Sequence, residues 1–301
     1  MKRIFCLFAI LILASLQTRA ADAAPNWTVY RDVRYGVSEQ EKADLYLLNR
    51  GVNPVVVMIH GGGWQGGDKS SYAGYYAEMY ARAGFHVVAI NYRLAKYGDR
   101  STQWNAQLQD VQLAIRWLRQ YASALRIDPA RIGAVGDSAG GHLALFLGSL
   151  ATSAPNMTGG IDRAAFFPAL SPKVSAVVDM FGPTDLTRPE MYTQLAPSAL
   201  FGARPYPVVP NLYRNASPIF TLSTRTAPAC VVHGTLDPVV PVSQSLSLIS
   251  RLSQLGVSYK FIPFLGGHSF SGLSGTQRTA IDRAALLCIS NILRPNPLNA
   301  L

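Results

Sequence analysis

Acid is scarce in this 301-residue chain: 17 Asp and Glu stand against 27 Lys and Arg, and charged residues of both signs make up only 15%. With 49% hydrophobic residues, so little charge excludes a disordered or solvating chain. Cysteine is scarce as well, three residues in all, which excludes a disulfide-dense miniprotein, and no Cys or His cluster has metal-ligand spacing. No internal repeat or low-complexity tract occurs. Neither G-x-x-x-x-G-K-[ST] nor G-x-G-x-x-G stands in a strand-to-helix context, so a phosphate cradle is not expected. The basic residues form no run and accompany no zinc-finger or RNA-binding signature, which argues against nucleic acid as a partner.

The longest apolar run is at the start. Lys2 and Arg3 precede an uncharged stretch from Ile4 to Leu16, and small residues follow to Ala21-Asp22-Ala23. That is the form of a secretory signal over 1–23, shorter than the ~20 apolar residues of a spanning helix. No lipid-attachment pattern surrounds Cys6. The expectation is an exported product, periplasmic or secreted, without stable membrane insertion. Cutting after Ala23 leaves 24 basic and 16 acidic residues, a net +8. Weak attraction to acidic polysaccharide or an anionic surface fits that charge, as does simple solubility. Cys230 and Cys288 survive processing, and two buried thiols are expected of them rather than a disulfide.

From Trp27 onward, short β-rich runs alternate with helical periodicity. Thr28 to Tyr35 and Ala43 to Leu48 read as an antiparallel entry hairpin. The β-branched run Val55 to Ile59 is of the kind buried on both faces of a parallel sheet. A helix is expected over Ser71 to Ala83, closed by Gly84, then a strand over His86 to Tyr92. Leu108, Val111, Ile115, Leu118 and Ala122 mark a second helix. Strands follow at Arg131 to Gly136, Val174 to Phe181, Ala229 to His233 and Tyr259 to Phe264, with helices at His142 to Leu150, Ser243 to Leu255 and Thr276 to Leu293. This order specifies a three-layer αβα domain over 24–301 with a mostly parallel central sheet. Two segments break the rhythm, 152–172 and the proline-rich 182–228; the second is expected to form a small short-helix cap.

Gly136-Asp137-Ser138-Ala139-Gly140 has the form G-x-S-x-G, at a strand end and a helix start. A nucleophile held in so tight a turn leaves no room for side chains two residues to either side. A serine hydroxyl needs a base within hydrogen-bond reach, itself oriented by a carboxylate, in the chain order Ser, acid, His. Of five histidines, His86 opens a strand, His142 lies within a helix, and His60 and His233 end strands. His268, in the loop after the last strand, is left as the base. Asp237 follows the penultimate strand and is preferred as the acid to Asp185, which follows the strand before it. Asp137 reads as a structural hydrogen-bonding residue. In His60-Gly61-Gly62-Gly63-Trp64 the bare amides of Gly62 and Gly63, with that of Ala139, can meet a developing oxyanion. Trp64 and Phe181 are candidates to line the pocket, with plain packing an equal reading of each.

With these parts assembled, the chain resembles the α/β-hydrolase superfamily, and specifically exported esterases whose loop reads His-Gly-Gly-x-Trp and whose elbow reads Gly-Asp-Ser-Ala-Gly-Gly. Asp44-Leu45-Tyr46, Asn91-Tyr92-Arg93-Leu94, Asp128-Pro129-Ala130-Arg131-Ile132, Ala216-Ser217-Pro218 and His233-Gly234-Thr235-Leu236-Asp237 look like stretches of the bifunctional feruloyl and acetyl xylan esterase group. Hormone-sensitive-lipase-like carboxylesterases and kynurenine formamidases share many of them. The resemblance implies hydrolysis of a small acyl ester, without cofactor or metal, on a small-molecule or carbohydrate substrate. Ser138 would attack, His268 would carry the proton and Asp237 would hold the imidazole. Formamide hydrolysis by the same triad and a non-catalytic binding role are the competing readings.

Overall fold

The computed structural model describes residues 26–150, 152–158, 161–195 and 198–294, so the leader expected over 1–23 lies outside the described residues. Eight strands form one sheet: β1 (Trp27–Arg34), β2 (Lys42–Leu48), β3 (Asn53–Ile59), β4 (His86–Ile90), β5 (Ile127–Asp137), β6 (Ala176–Met180), β7 (Ala229–Gly234) and β8 (Tyr259–Phe264), in the spatial order β1-β2-β4-β3-β5-β6-β7-β8. β1 and β2 are antiparallel, as expected of the entry hairpin, and β2 meets β4 antiparallel. Every pairing from β4 onward is parallel.

Because successive side chains point to opposite faces, one run of apolar residues supplies two cores. Val55, Val57 and Ile59 of β3 join the core that holds Leu108, Leu143 and Leu248. Val56 and Met58 join the one that holds Tyr80, Ala285 and Ile289. Helices α1 (Tyr75–Arg82) and α8 (Gly275–Leu293) therefore cover one face, and α2 (Ala106–Gln120), α4 (Ala139–Ser149) and α7 (Ser243–Gln254) the other; a single turn, α3 (Ala122–Leu125), follows α2. This is the expected three-layer α/β-hydrolase architecture.

Three expectations change. The helix expected over 71–83 is split into a 3₁₀ turn, Lys69–Tyr72, and α1, because Gly74 at φ 67° turns the chain between them. α4 starts three residues earlier than its apolar pattern suggests, directly after Ser138. The two thiols expected at Cys230 and Cys288 are instead a disulfide, with Cα atoms 6.2 Å apart. α8 lies across the sheet with Cys288 bonded to Cys230 of β7 and Ile289 against Gly133 of β5, a tertiary contact that strand and helix patterns do not encode.

The first irregular segment carries one 3₁₀ turn, Arg163–Ala165, and is tied down by the buried Arg116 of α2, which donates to the carbonyls of Arg163 and Phe166. The second forms α5 (Pro189–Leu195) and α6 (Pro210–Asn215) with short 3₁₀ turns. A buried ion network closes the base of the first segment. The Arg93 guanidinium donates to Asp110, with Nη2 2.6 Å from Oδ1, and Arg163 Nε donates to Glu41 Oε1 at 2.8 Å.

Candidate active site

The end of β5 and the start of α4 leave one residue between them, and it is Ser138, at φ 51° and ψ −118°. A residue with a Cβ is disfavoured there. Neighbouring glycines make the turn possible: a Cβ on Gly136 would sit 2.2 Å from the Gly140 carbonyl oxygen, and one on Gly140 would sit 1.9 Å from that of Ile59. The Ser138 amide donates to the Met180 carbonyl at 2.8 Å, which fixes the turn to the neighbouring strand. Asp137 faces the other way. Its Oδ1 accepts from the Gly61 amide at 3.0 Å and from the Tyr72 hydroxyl at 2.7 Å, so it fastens the glycine loop to the elbow and is a structural group, as its sequence position suggested.

His268 comes from the far end of the sheet. Its Nε2 lies 3.0 Å from Ser138 Oγ, and its Nδ1 lies 2.7 Å from Asp237 Oδ2. The other Asp237 oxygen accepts from the amides of Val239 and Val240 at 2.8 and 2.9 Å. Burial alone would raise the Asp237 carboxyl, but hydrogen bonds from His233, His268 and the Val240 amide outweigh it and hold the group below the usual carboxylate range. The competing acid, Asp185, is engaged locally, its Oδ1 accepting from the amide and hydroxyl of Thr187. The remaining histidines are spoken for. His86 bridges the Leu48 amide and the Arg126 carbonyl, and His60 donates to the Gly61 carbonyl while stacking on Tyr92. His233 accepts from the Ser245 hydroxyl at Nδ1 and donates from Nε2 to the Val240 carbonyl, with Nε2 also 3.5 Å from Asp237 Oδ2. The structure thus joins Ser138, His268 and Asp237 in one hydrogen-bonded chain.

The glycine loop is shaped by conformations that suit glycine. Gly62 has φ 104° and Gly63 φ 60°, and a Cβ on Gly62 would lie 2.3 Å from the Gly66 carbonyl oxygen, which its turn brings close. Among the described residues no protein group accepts from the amides of Gly62, Gly63 or Ala139. Trp64, the next residue, is 3% exposed, and its Nε1 donates to His142 Nδ1 at 3.3 Å. His142 in turn donates from Nε2 to the Ala216 carbonyl at 2.7 Å, and burial pushes it down to about 4, so it stays neutral. Trp64 is thus a brace between loop and helix. The Phe181 ring lies 4.8 Å from that of His268, and Phe181 also lines a cavity of about 160 Å³ with Tyr72, Asp137, Ser269, Phe270 and Arg278, none of them a member of the Ser138–His268–Asp237 chain.

Sequence reasoning missed Tyr72, His142, His233 and Arg278 as parts of this assembly. His233 had a usable signal, its i, i+4 spacing to Asp237; Tyr72, paired with Asp137 across 65 residues, had none.

A family model described as BD-FAE matches residues 43–252. The probable carboxylic ester hydrolase LipM of Mycobacterium tuberculosis is 33% identical over 237 residues, covering 76% of this chain and 52% of its own length. Esterase LipQ of the same organism is 32% identical, covering 77% and 54%. The chain therefore spans about half the length of these curated relatives. Among solved structures, a truncated form of a carbohydrate esterase from gut microbiota superposes with a TM-score of 0.75 at 26% identity, over 89% of this chain and 99% of that one. An acetyl ester-xyloside bifunctional hydrolase from Caldicellulosiruptor lactoaceticus gives 0.66 at 25% identity, over 83% and 86%.

Proposed function

The chain belongs to the BD-FAE family, and from that premise we propose that it is a serine hydrolase that cleaves short-chain carboxylic esters, acetyl or feruloyl esters of plant-wall carbohydrate among them. The observation that carries this reading is the continuous chain from Ser138 Oγ through His268 to Asp237, at 3.0 and 2.7 Å. In the first half-reaction Ser138 Oγ attacks the ester carbonyl carbon while its proton passes to His268 Nε2. The carbonyl oxygen becomes an oxyanion facing the amides of Gly62, Gly63 and Ala139, each such donor being worth ~3 kcal/mol in the transition state. The C–O bond then breaks, and the alcohol leaves with the proton from His268. In the second half-reaction a water gives His268 a proton and attacks the acyl-serine carbonyl carbon; the C–Oγ bond breaks, His268 returns the proton to Ser138 Oγ and the acid is released. Asp237, held ionised, keeps the Nδ1–H of His268 oriented and stabilises the imidazolium that forms twice per cycle.

Carbohydrate esters are favoured because two structural relatives that superpose at 25% and 26% identity are named as a carbohydrate esterase and an acetyl ester-xyloside bifunctional hydrolase. Segment 182–228 serves as the cap in this reading: the Ala199 amide donates to Gln65 Oε1 beside the glycine loop, and Ala216 receives His142. Export is supported by the leader pattern and by the Cys230–Cys288 disulfide, which persists in oxidising compartments.

Ser138→Ala decides the central point. The variant is expected to fold, to lose p-nitrophenyl acetate turnover and to resist labelling by a fluorophosphonate; wild-type-like turnover would refute the nucleophile. A panel of acetyl esters, feruloyl esters and N-formylkynurenine then ranks ester against amide chemistry.

A further inference from the structure

A cavity of about 300 Å³ opens between the turn before α2 and the start of α6, its walls including Arg100, Gln103, Trp104, Met157, Arg204 and Leu212. A neighbouring cavity of about 390 Å³ shares Trp104 and Met157 and adds Arg214. No Asp or Glu side chain lines either one. Among the described residues, Arg100, Arg204 and Arg214 have no carboxylate within 4.0 Å, whereas Arg93, Arg163 and Arg278 are each seated on one.

Arg204 is held in place rather than left to wander. The chain reaches it through Gly202 at φ 64° and Ala203 at φ 55°, and a left-handed residue with a side chain persists only where its surroundings over-determine it. Here the Ala203 amide donates to the Ser198 carbonyl at 3.0 Å, and the Tyr213 hydroxyl donates to the Arg204 carbonyl at 3.0 Å. Arg204 Nε donates to the Phe201 carbonyl at 2.8 Å, and Nη2 stands 3.5 Å from Gln103 Oε1. The guanidinium is therefore tied at one edge and open at the other.

The cavity is coupled to the reaction centre through its wall. The Trp104 ring lies 5.4 Å from that of His142, which accepts from Trp64 of the glycine loop. The Trp104 amide donates to the Leu200 carbonyl, and the adjacent Ala199 amide donates to Gln65.

We propose that this cavity is a subsite for a carboxylate-bearing sugar ring next to the ester-bearing residue of the substrate, an inference that rests on the ester-hydrolase reading above. A planar guanidinium fork matches a carboxylate, and the carboxamide of Gln103 can serve the same group or a ring hydroxyl. Leu212 and Val209 offer an apolar wall to a sugar face. A simple acyl group has its only carboxyl tied up in the ester, so a free carboxylate must belong to the alcohol portion. The same assignment gives a use to the excess of basic residues, which forms no run in the sequence.

The test compares acetylated xylo-oligosaccharides with and without one glucuronosyl side group. The wild-type protein is expected to favour the acidic substrate about tenfold in kcat/KM, the size of one charge-assisted contact, and to lose the preference as salt screens it. Arg100→Gln with Arg204→Gln should abolish the preference and leave p-nitrophenyl acetate turnover unchanged, while Arg204→Lys keeps part of it. Equal rates on the two oligosaccharides in the wild type, or a preference that survives in the double variant, would overturn the subsite. Failure of the wild type on p-nitrophenyl acetate would count against the esterase reading instead. Calorimetric binding of the acidic oligosaccharide to Ser138→Ala protein then still decides the subsite: binding that the two Gln substitutions remove supports it, and absence of binding overturns it.

Discussion

The Arg93–Asp110–Arg163–Glu41 network and the Ser138–His268–Asp237 chain are both polar groups withdrawn from water, and they differ in how they end. In the network every strand of hydrogen bonding closes inside the protein. Asp110 takes the Arg93 amide and guanidinium, Arg93 Nη1 reaches the Ser101 carbonyl, Arg163 Nε reaches Glu41, and Glu41 Oε2 takes the Ser38 amide. In the Ser138–His268–Asp237 chain the buried end is closed, with Asp237 receiving two amides and an imidazole, while the other end stops at the Ser138 hydroxyl. In a closed network each charge is compensated, so removing one partner is costly; an open one has its last bond reserved for a reacting group.

Substitutions should separate the two. Asp237→Asn is expected to lower kcat about 10⁴-fold, through loss of the orienting acceptor, with a much smaller change in the urea midpoint. Arg93→Met should do the reverse. It leaves Asp110 buried without its bidentate partner and with only Arg163, 3.7 Å away, as a counter-charge, so the loss falls on stability, about 3–5 kcal/mol by chemical denaturation, while the folded fraction keeps its turnover per molecule. A rate defect in folded Arg93→Met protein as large as that of Asp237→Asn would erase the distinction. Cys288→Ser comes next, with an expected loss of about 2–4 kcal/mol from releasing the 58-residue loop, read as the difference between oxidised wild type and variant.

A further effect is one of pH, and it sharpens the contrast between two aspartates, Asp179 on β6 and Asp237 in the loop after β7. Asp179 of β6 is fully buried; its Oδ1 accepts from the Gly182 amide at 2.9 Å, and its Oδ2 has no hydrogen bond. Burial pushes it up to about 7 against the pull of His233 and the Gly182 amide. A carboxyl raised on folding contributes stability below its unfolded value, ~3.9, and loses it as pH rises through about 7. Asp237 is lowered, so its contribution is present above ~3.9 and lost as pH falls below that. Asp179→Asn should therefore gain on the wild type as pH rises from ~3.9 to about 7, and Asp237→Asn should be less stable than the wild type above ~3.9 and converge with it as pH falls below that. Unfolding midpoints across pH check both, and an Asp179→Asn difference that is flat with pH would contradict the assignment.

What could be read from the sequence follows from the range of the interactions. Val55 to Ile59 and Ala229 to His233 were legible as strands because burial on both faces demands unbroken β-branched or small apolar runs. Ser138 was legible because its turn demands glycine at 136 and 140. His268 needed elimination among five candidates, the other four sitting in or at the ends of regular elements. The break at Gly74 was hidden inside an apolar pattern that continues across it. The Cys230–Cys288 bond, the Glu41–Arg163 pair across 122 residues and the Tyr72–Asp137 contact were illegible, since nothing local distinguishes a side chain that will meet a distant partner from one that will face solvent.

The twist at Ser138 has one more consequence. A glycine would sit at φ 51° and ψ −118° without penalty, so a Ser138→Gly protein should be inert and also harder to melt, by about 1 kcal/mol. At this one position durability and reactivity pull in opposite directions, and a selection for heat resistance alone would tend to discard the hydroxyl.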